Sequence, residues 1–529
     1  MRLLKKNFLF IFFISYFIIG SLTSLNIGIS HDEFHEQENW KYNLDLSENL
    51  ISQFFSDEEY DIKNDVYKDK YYGVGFQIIS QPIQYFLKNF IIKFNDVSPY
   101  GAHLIAKHFV VFTSFFISGF FIFLILRKIV DNDFFCYFTL IIYLTYPYLF
   151  GQALFSPKDI PFLTMWIISS YASLNIFIKL YDTNSIKALD IILLAICTGF
   201  LLSIRIAGVL IFFQYLISFI IFINLSKLSL FSFAKKFYLK FFYFIFIMLI
   251  FTYILYPVFW KDPLIIFTAI EQMGNFYNDV CTKTLGKCMY AKDLPATYIP
   301  IWLSVKLPFL ILLGIFLIPF TEKKILTEPR KIIFFGTILG AIIFIPLILI
   351  FKKVYIYDEL RHIMFLVPLF FIIGSVSLFI FSKSIFYILG FLTLSIFIFE
   401  NIKINPYQYV WFNIPSRAID LSNQFELEYQ GISGKEIAEQ ISLIKTKNPC
   451  ILVSPYYSIK PFLDKNRFNC IDSWQLIDTN YPRPFLAVQH VRNIKKGMPY
   501  KCETIHEESF KLLFHKKKFV IGKLLKCHD

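Results

Sequence analysis

The chain has 529 residues, 56% of them hydrophobic, with 66 phenylalanines and a formal net charge of +13. That balance excludes an ordinary soluble globular mix, which carries far more polar residues. The positive charge does not call for nucleic acid, because the lysines fall mainly in short loops between long apolar runs, the signature of cytoplasmic loops in a polytopic membrane protein.

The N-terminus reads as a few basic residues followed by an apolar run over 7–28. At about 22 residues, or roughly 33 Å of helix, the run is long enough to cross a bilayer once. It exceeds a usual signal-peptide core, and no A-x-A cleavage pattern follows, so it reads as an uncleaved anchor. Ser30, His31, Asp32, Glu33, Phe34, His35 and Glu36 come next, at the far-side membrane exit. The outer loop continues to about residue 100. Within it, 76–94 reads as an amphipathic helix in the interface, because Gln77, Gln81, Pro82, Gln84 and Lys88 interrupt its apolar run.

Further spans are predicted at 103–126, 134–150, 160–180, 186–204 and 206–224, with a seventh ending at Trp260. Lys227, Lys235, Lys236 and Lys240 are assigned to one inner loop. After an outer loop over 261–297, spans follow at 298–320, 332–351, 363–381 and 385–399. The total is about eleven, with every inner loop carrying Lys or Arg and the C-terminus outside. Residues 1–400 thus form the membrane domain. Residues 401–529 are polar with short strand-like runs at 450–453, 486–488 and 519–521 and a helical stretch at 431–446, and they read as a small extracytoplasmic α/β domain. The fold class is an all-α polytopic membrane protein with this α/β tail.

Six of the eight cysteines fall on the predicted outer side, where disulfides are permitted. Cys281 and Cys288 share one loop and are the candidate pair. Pairing among Cys450, Cys470, Cys502 and Cys527 cannot be read from sequence.

Four polar clusters could carry chemistry, and all lie on the outer side. Asp32 and Glu33 follow the first span, and a carboxylate there can take a proton from an attacking hydroxyl. Lys158 and Asp159 open the fourth span, where Asp159 could equally cap the helix. Arg205 splits a long apolar stretch, suited either to snorkelling or to gripping phosphate at headgroup depth. Tyr357, Arg361 and His362 enter the tenth span and suit an anionic headgroup. His31 and His35 have the i, i+4 spacing of a zinc site, but a metalloprotease needs Glu where Asp32 stands, and no clear helix is expected there.

These residues resemble motifs of the GT-C fold lipid-linked-sugar glycosyltransferases, near the protein O-mannosyltransferases and the lipid A aminoarabinose transferases. Asp32, Glu33 and His35 are similar to the family's acidic first-loop motif, Lys158 to Pro161 to its second-loop pattern, and Tyr357 to Arg361 to its late Tyr/Glu/Arg motif. Stretches 406–413 and 425–429 look like those of bacterial members. The resemblance covers roughly residues 1–440 and implies an integral protein of the bacterial inner membrane. The implied reaction moves a sugar from a polyprenyl-phosphate donor, with inversion, to an extracytoplasmic lipid, glycan or protein. Asp32 would be the base, with Glu33 and Asp159 orienting acceptor or base. His35, Lys158, Tyr357, Arg361 and His362 would contact substrate; Arg205 joins them by position. No cofactor is implied with certainty, and a divalent metal is left open. The tail has no family counterpart, which puts a protein acceptor in doubt. The competing readings are a lipid-linked oligosaccharide flippase or other transporter, and a membrane-anchored binding protein working through its tail.

Overall fold

The computed structural model describes residues 2–55, 69–94, 96–226, 228–276, 279–444, 449–473, 484–494 and 501–528. In chain order the first helices are α1 (Arg2–Ser24), α2 (His31–Phe55), α3 (Gly75–Phe94), α4 (Pro99–Ile129), α5 (Asp133–Thr145), α6 (Pro147–Ala153), α7 (Asp159–Thr183) and α8 (Ala188–Ile204). A 3-10 turn, Ile206–Leu210, leads into α9 (Ile211–Ser226), followed by α10 (Leu230–Ile254), α11 (Ile265–Gly274), α12 (Tyr298–Lys306), α13 (Phe309–Phe316) and α14 (Ile318–Ile325). The helical stretches Pro329–Phe351, Arg361–Phe381 and Lys383–Lys403 complete the membrane part.

Among the described residues, seven helices are long and apolar enough to cross a membrane, and α5 with α6, bent by 61°, makes an eighth if counted as one span. Leu9–Ser24 and α8 are shorter apolar helices. The stretch expected as one span over 298–320 is broken between α12 and α13 at Pro308, whose ring and missing N–H interrupt an α-helix. Arg361–Phe381 is the central helix: 94% of its apolar window is buried, against 22% for α10 and for Lys383–Lys403, which lie at the periphery.

Two local expectations change. Lys235, Lys236 and Lys240 lie on α10 itself, because that helix begins at Leu230 under a Ser229 cap; Lys227 lies outside the described residues. The region after the first span is helical from His31 onward. Glu33 in its first turn reaches back to accept from the Ser30 backbone N–H at 2.7 Å. This is one half of a capping box, and the acidic first turn complements the helix dipole.

α3 is amphipathic with its polar face turned inward. Gln77, Ser80, Gln81 and Gln84 are buried, whereas Ile79, Tyr85, Phe86 and Phe90 are exposed. Gln77 and Gln81 donate to Gln37 on α2 at 3.0 and 3.3 Å. Their apolar neighbours are thereby left facing outward, as an interfacial helix requires.

The connection between α11 and α12 carries a hairpin, β1 (Cys281–Thr284) with β2 (Lys287–Tyr290), closed by the Cys281–Cys288 disulfide. The tail sheet contains β3 (Cys450–Val453), β4 (Cys470–Ser473), β5 (Phe485–His490), β6 (Cys502–Phe510) and β7 (Phe519–Cys527) in the order β4-β3-β5-β7-β6. β3 runs parallel to β4 and β5, and β7 is antiparallel to β5 and β6. Disulfides Cys450–Cys470 and Cys502–Cys527 join directly paired strand positions. The helix expected over 431–446 spans Gly434–Leu443; 445–448 lie outside the described residues.

The tail is bolted to the last membrane helix by Arg417 and Glu400. Arg417 Nη1 and Nη2 donate to the two Glu400 oxygens at 2.6 and 2.9 Å, and its remaining donors reach Phe412 O and Leu513 O. Glu400 also accepts from Trp411 Nε1 and the Leu513 N–H. A buried pair so fully bonded is costly to break from one side. Arg417→Met is expected to destabilise the protein by about 3–5 kcal/mol, seen as a lowered Tm in detergent. Arg417→Lys, lacking the planar fork, is expected to recover only part of that loss.

Candidate active site

Four connections meet at one end of the helices. Gly28 begins the first: a Cβ there would lie 2.1 Å from Ile432 O, so only glycine allows the tail's backbone to press on the entry to α2. Gly73 plays the same part further on, where a Cβ would meet Ser203 O at 2.1 Å. That close approach lays the 69–75 stretch over the end of α8, next to Arg205.

Arg361 is the centre of the cluster. Its Nη2 donates to Asp32 Oδ2, its Nε donates to Asp159 Oδ2 at 2.9 Å, and its Nη1 lies 3.6 Å from Asp358 Oδ2. Arg205 Nη1 pairs with the other Asp159 oxygen, Oδ1, at 2.6 Å. Asp32, Arg361, Asp159 and Arg205 therefore alternate in sign along one chain of contacts, with no two like charges directly joined. Asp159 is almost fully buried, whereas the Asp32 side chain keeps 28% exposure. Burial pushes the Asp32 carboxyl up, but the Arg361 guanidinium and the neighbouring His31 outweigh it and hold the group below the usual carboxylate range. Asp32 is thus ionised and reachable, the two properties a proton acceptor needs.

The other residues singled out in the sequence divide into two groups. Tyr357 and His362 stay at the centre, with their rings edge-to-face at 4.4 Å. Together with Arg205, Tyr72, Gly73 and Tyr355 they line a small cavity of about 70 Å³. The buried His362 Nε2 has no hydrogen-bond partner among the described residues. Burial pushes the Tyr357 hydroxyl up to about 12, which keeps it protonated and able to donate.

Glu33 and Lys158 turn elsewhere. Glu33 is fully buried, with Oε1 on the Ser30 N–H and Oε2 2.8 Å from His108 Nε2, so its carboxylate anchors the start of α2 to α4. Lys158 pairs with Glu36 and stands over the Tyr72 ring at 3.8 Å. Lys107 lies 3.8 Å from the other Glu36 oxygen. His35 Nε2 is 3.2 Å from His31 Nε2. Among the described residues, no three His, Cys, Asp or Glu side chains are grouped to hold a metal ion.

Several contributors lay inside the motif stretches but were given no role of their own from the sequence. Glu36 carried the same acidic-run signal as its neighbours, and the Ser30-to-Glu33 spacing is a helix-start signature that would have oriented the whole run. Asp358 and Glu359 sit in the left-handed region at φ 55° and 65°, an uncommon conformation for non-glycine residues. The Asp358 N–H donates to Thr282 Oγ1 at 2.8 Å, and the buried Glu359 pairs with Lys306 at 2.9 Å. These two anchors over-determine the turn and aim Arg361 inward. Nothing in the local sequence marks that conformation.

No family model matches the chain, and no curated protein matches it. Several solved chains resemble it in outline, two of them forms of one protein. ArnT from Cupriavidus metallidurans bound to undecaprenyl phosphate aligns over 97% of this chain and 97% of that one, at 11% identity and a TM-score of 0.46. Its apo form aligns over 98% of this chain and 97% of that one, at 11% identity and a TM-score of 0.48. At that identity the likeness assigns no role to any side chain.

The Glu33 arrangement gives a direct expectation. Glu33→Ala strands the Ser30 N–H and His108 in a buried site and should cost about 1–3 kcal/mol, measured as a lowered Tm. Glu33→Gln keeps an acceptor for Ser30 and should cost less.

Proposed function

We propose that this integral membrane protein is an inverting glycosyltransferase that takes sugar from a polyprenyl-phosphate donor at the outer face of a bacterial inner membrane. The observation that carries the reading is Arg361 bonded at once to Asp32 and Asp159, carboxylates from two separate connections. Asp32 is the base. The acceptor hydroxyl oxygen bonds to the anomeric carbon while its proton passes to Asp32. The bond from that carbon to the phosphate oxygen breaks, and the polyprenyl phosphate leaves with the electron pair. Attack opposite the leaving group inverts the centre.

A lipid-phosphate donor keeps its phosphate at headgroup depth, and cations there stabilise the charge that grows on departure. Arg205 faces the small cavity beside the apolar 3-10 turn Ile206–Leu210 and is placed for this role, while the unpartnered His362 Nε2 on the same cavity can offer the phosphate a neutral hydrogen bond. Asp159 shares both arginines and holds them in register. Lys158, committed to Glu36, is assigned to scaffolding instead of phosphate binding. The three disulfides support an oxidising compartment for the 281–288 hairpin and the tail, hence a C-terminus outside and a separate extracytoplasmic unit over 401–529. The acceptor is a hydroxyl-bearing lipid, glycan or protein. For a transporter, charges near the membrane midplane would be expected; here they close on one another at one end of the helices.

In proteoliposomes supplied with undecaprenyl-phosphate-linked sugars and an envelope extract as acceptor, Asp32→Asn is expected to lower transfer by about 10²–10⁴-fold. Full activity of that variant would overturn the reading. Because Asp32 is held below the ordinary carboxylate range, transfer should persist as pH falls through that range and fail only beneath it. Arg205→Gln should weaken binding of undecaprenyl phosphate by about 10–100-fold, the worth of a charge-assisted contact, measured by a direct binding titration.

A further inference from the structure

The tail reaches the charged centre from two directions. On the Asp32 side, the fully buried Glu428 accepts from Tyr409 Oη at 2.6 Å and from the Gln430 and Gly431 N–H groups at 2.8 and 2.6 Å. It also pairs with His490 at the end of β5. Gln430 O in turn accepts from the His31 N–H at 2.7 Å, at the first residue of α2. On the Arg361 side, the short helix Val491–Ile494 directly after β5 carries Arg492. Its Nη2 donates to Asp358 Oδ1, and its Nε donates to Glu426 Oε1 at 3.3 Å.

Asp358 has a second oxygen, and that oxygen is 3.6 Å from Arg361 Nη1. Asp358 is therefore a third carboxylate within reach of the one guanidinium that grips Asp32 and Asp159. In the structure it does not win that competition, and Arg492 occupies it from the opposite side. Resting on the glycosyltransferase reading above, we propose that Arg492 is a positioning residue for transfer: by pairing with Asp358 it leaves Arg361 to Asp32 and Asp159. The tail then completes the centre and is not a separable binding module.

The groups that bear on this balance come from every element packed there. Asp32 faces Arg361, His31, Asp159 and His35. Arg361 faces Asp32, Asp159, Asp358 and Tyr357. Without Arg492, Asp358 keeps its full charge and draws Arg361 toward itself. Asp32 then loses part of the cation that keeps it ionised, and the acid limb of the rate profile moves to higher pH.

The test uses the full chain in lipid nanodiscs, with R492Q, R492K, D358N and the R492Q/D358N pair. R492Q is expected to lower kcat by about tenfold with KM nearly unchanged, since a displaced orienting group acts on the transition state. Its acid limb should move upward, and R492K should recover most of the loss. Adding D358N to R492Q removes the competing charge and should restore much of kcat, a non-additive result expected of groups in one network. A cryo-EM structure of R492Q should show the Arg361 guanidinium turned from Asp32 to Asp358. The inference is overturned if Arg361 keeps both bonds in that structure, or if the two substitutions simply add. Failure of the parent protein to turn over any undecaprenyl-phosphate sugar, or full activity of D32N, would sink the transferase reading instead. The structural comparison would still decide the role of Arg492.

Discussion

A single guanidinium shared among carboxylates organises this molecule. Arg361 stands at the entrance to the most buried helix of the membrane part and reaches acids delivered by α2 and α7. Buried ions are expensive unless they are paired and bonded on every side. The surrounding structure meets that requirement by alternating signs: Arg205 on one flank of Asp159, Asp358 and Arg492 on the far flank of Arg361. Each charge is satisfied only if four connections far apart in the chain arrive together. The cluster therefore acts as a demand on the fold as much as a product of it.

The supporting structure is correspondingly polar for a membrane protein. α2 presents Gln37 to α3, Glu36 to Lys107 and Lys158, and Glu33 to His108. These contacts fix the helix that carries Asp32 along its inner face while leaving the Asp32 carboxylate partly open. Fixing Asp32 in place and leaving its carboxylate oxygens accessible are separate tasks, and neighbouring residues of one acidic run perform them. Asp32 and Glu33 are adjacent, yet successive side chains on a helix point about 100° apart, so one faces the arginine and the other the wall of α4.

The tail is joined to the membrane part by bonds that are themselves buried. Arg417 with Glu400 fixes its beginning, His490 with Glu428 fixes β5, and the Phe34 and Tyr457 rings stack at 3.5 Å between α2 and the tail. The left-handed pair Asp358 and Glu359 depends on the same assembly. Thr282 from the disulfide-closed hairpin holds one residue, and Lys306 at the end of α12 holds the other.

Hydropathy alone determined the membrane-spanning class, most helix positions and the polar tail with its strand runs at 450–453, 486–488 and 519–521, because burial in lipid imposes a long apolar run that no folding detail can hide. It also put Asp32, Asp159, Arg205 and Arg361 at span ends, since charges there avoid the hydrocarbon. Tertiary structure decided which of those charges meet. It turned Glu33 to His108 and Lys158 to Glu36, broke one span at Pro308, paired the tail cysteines and brought Arg492 from 131 positions beyond Arg361 to the same acid. Those outcomes depend on the direction of individual side chains and on contacts between residues distant in sequence, and neither leaves a periodic trace in the chain.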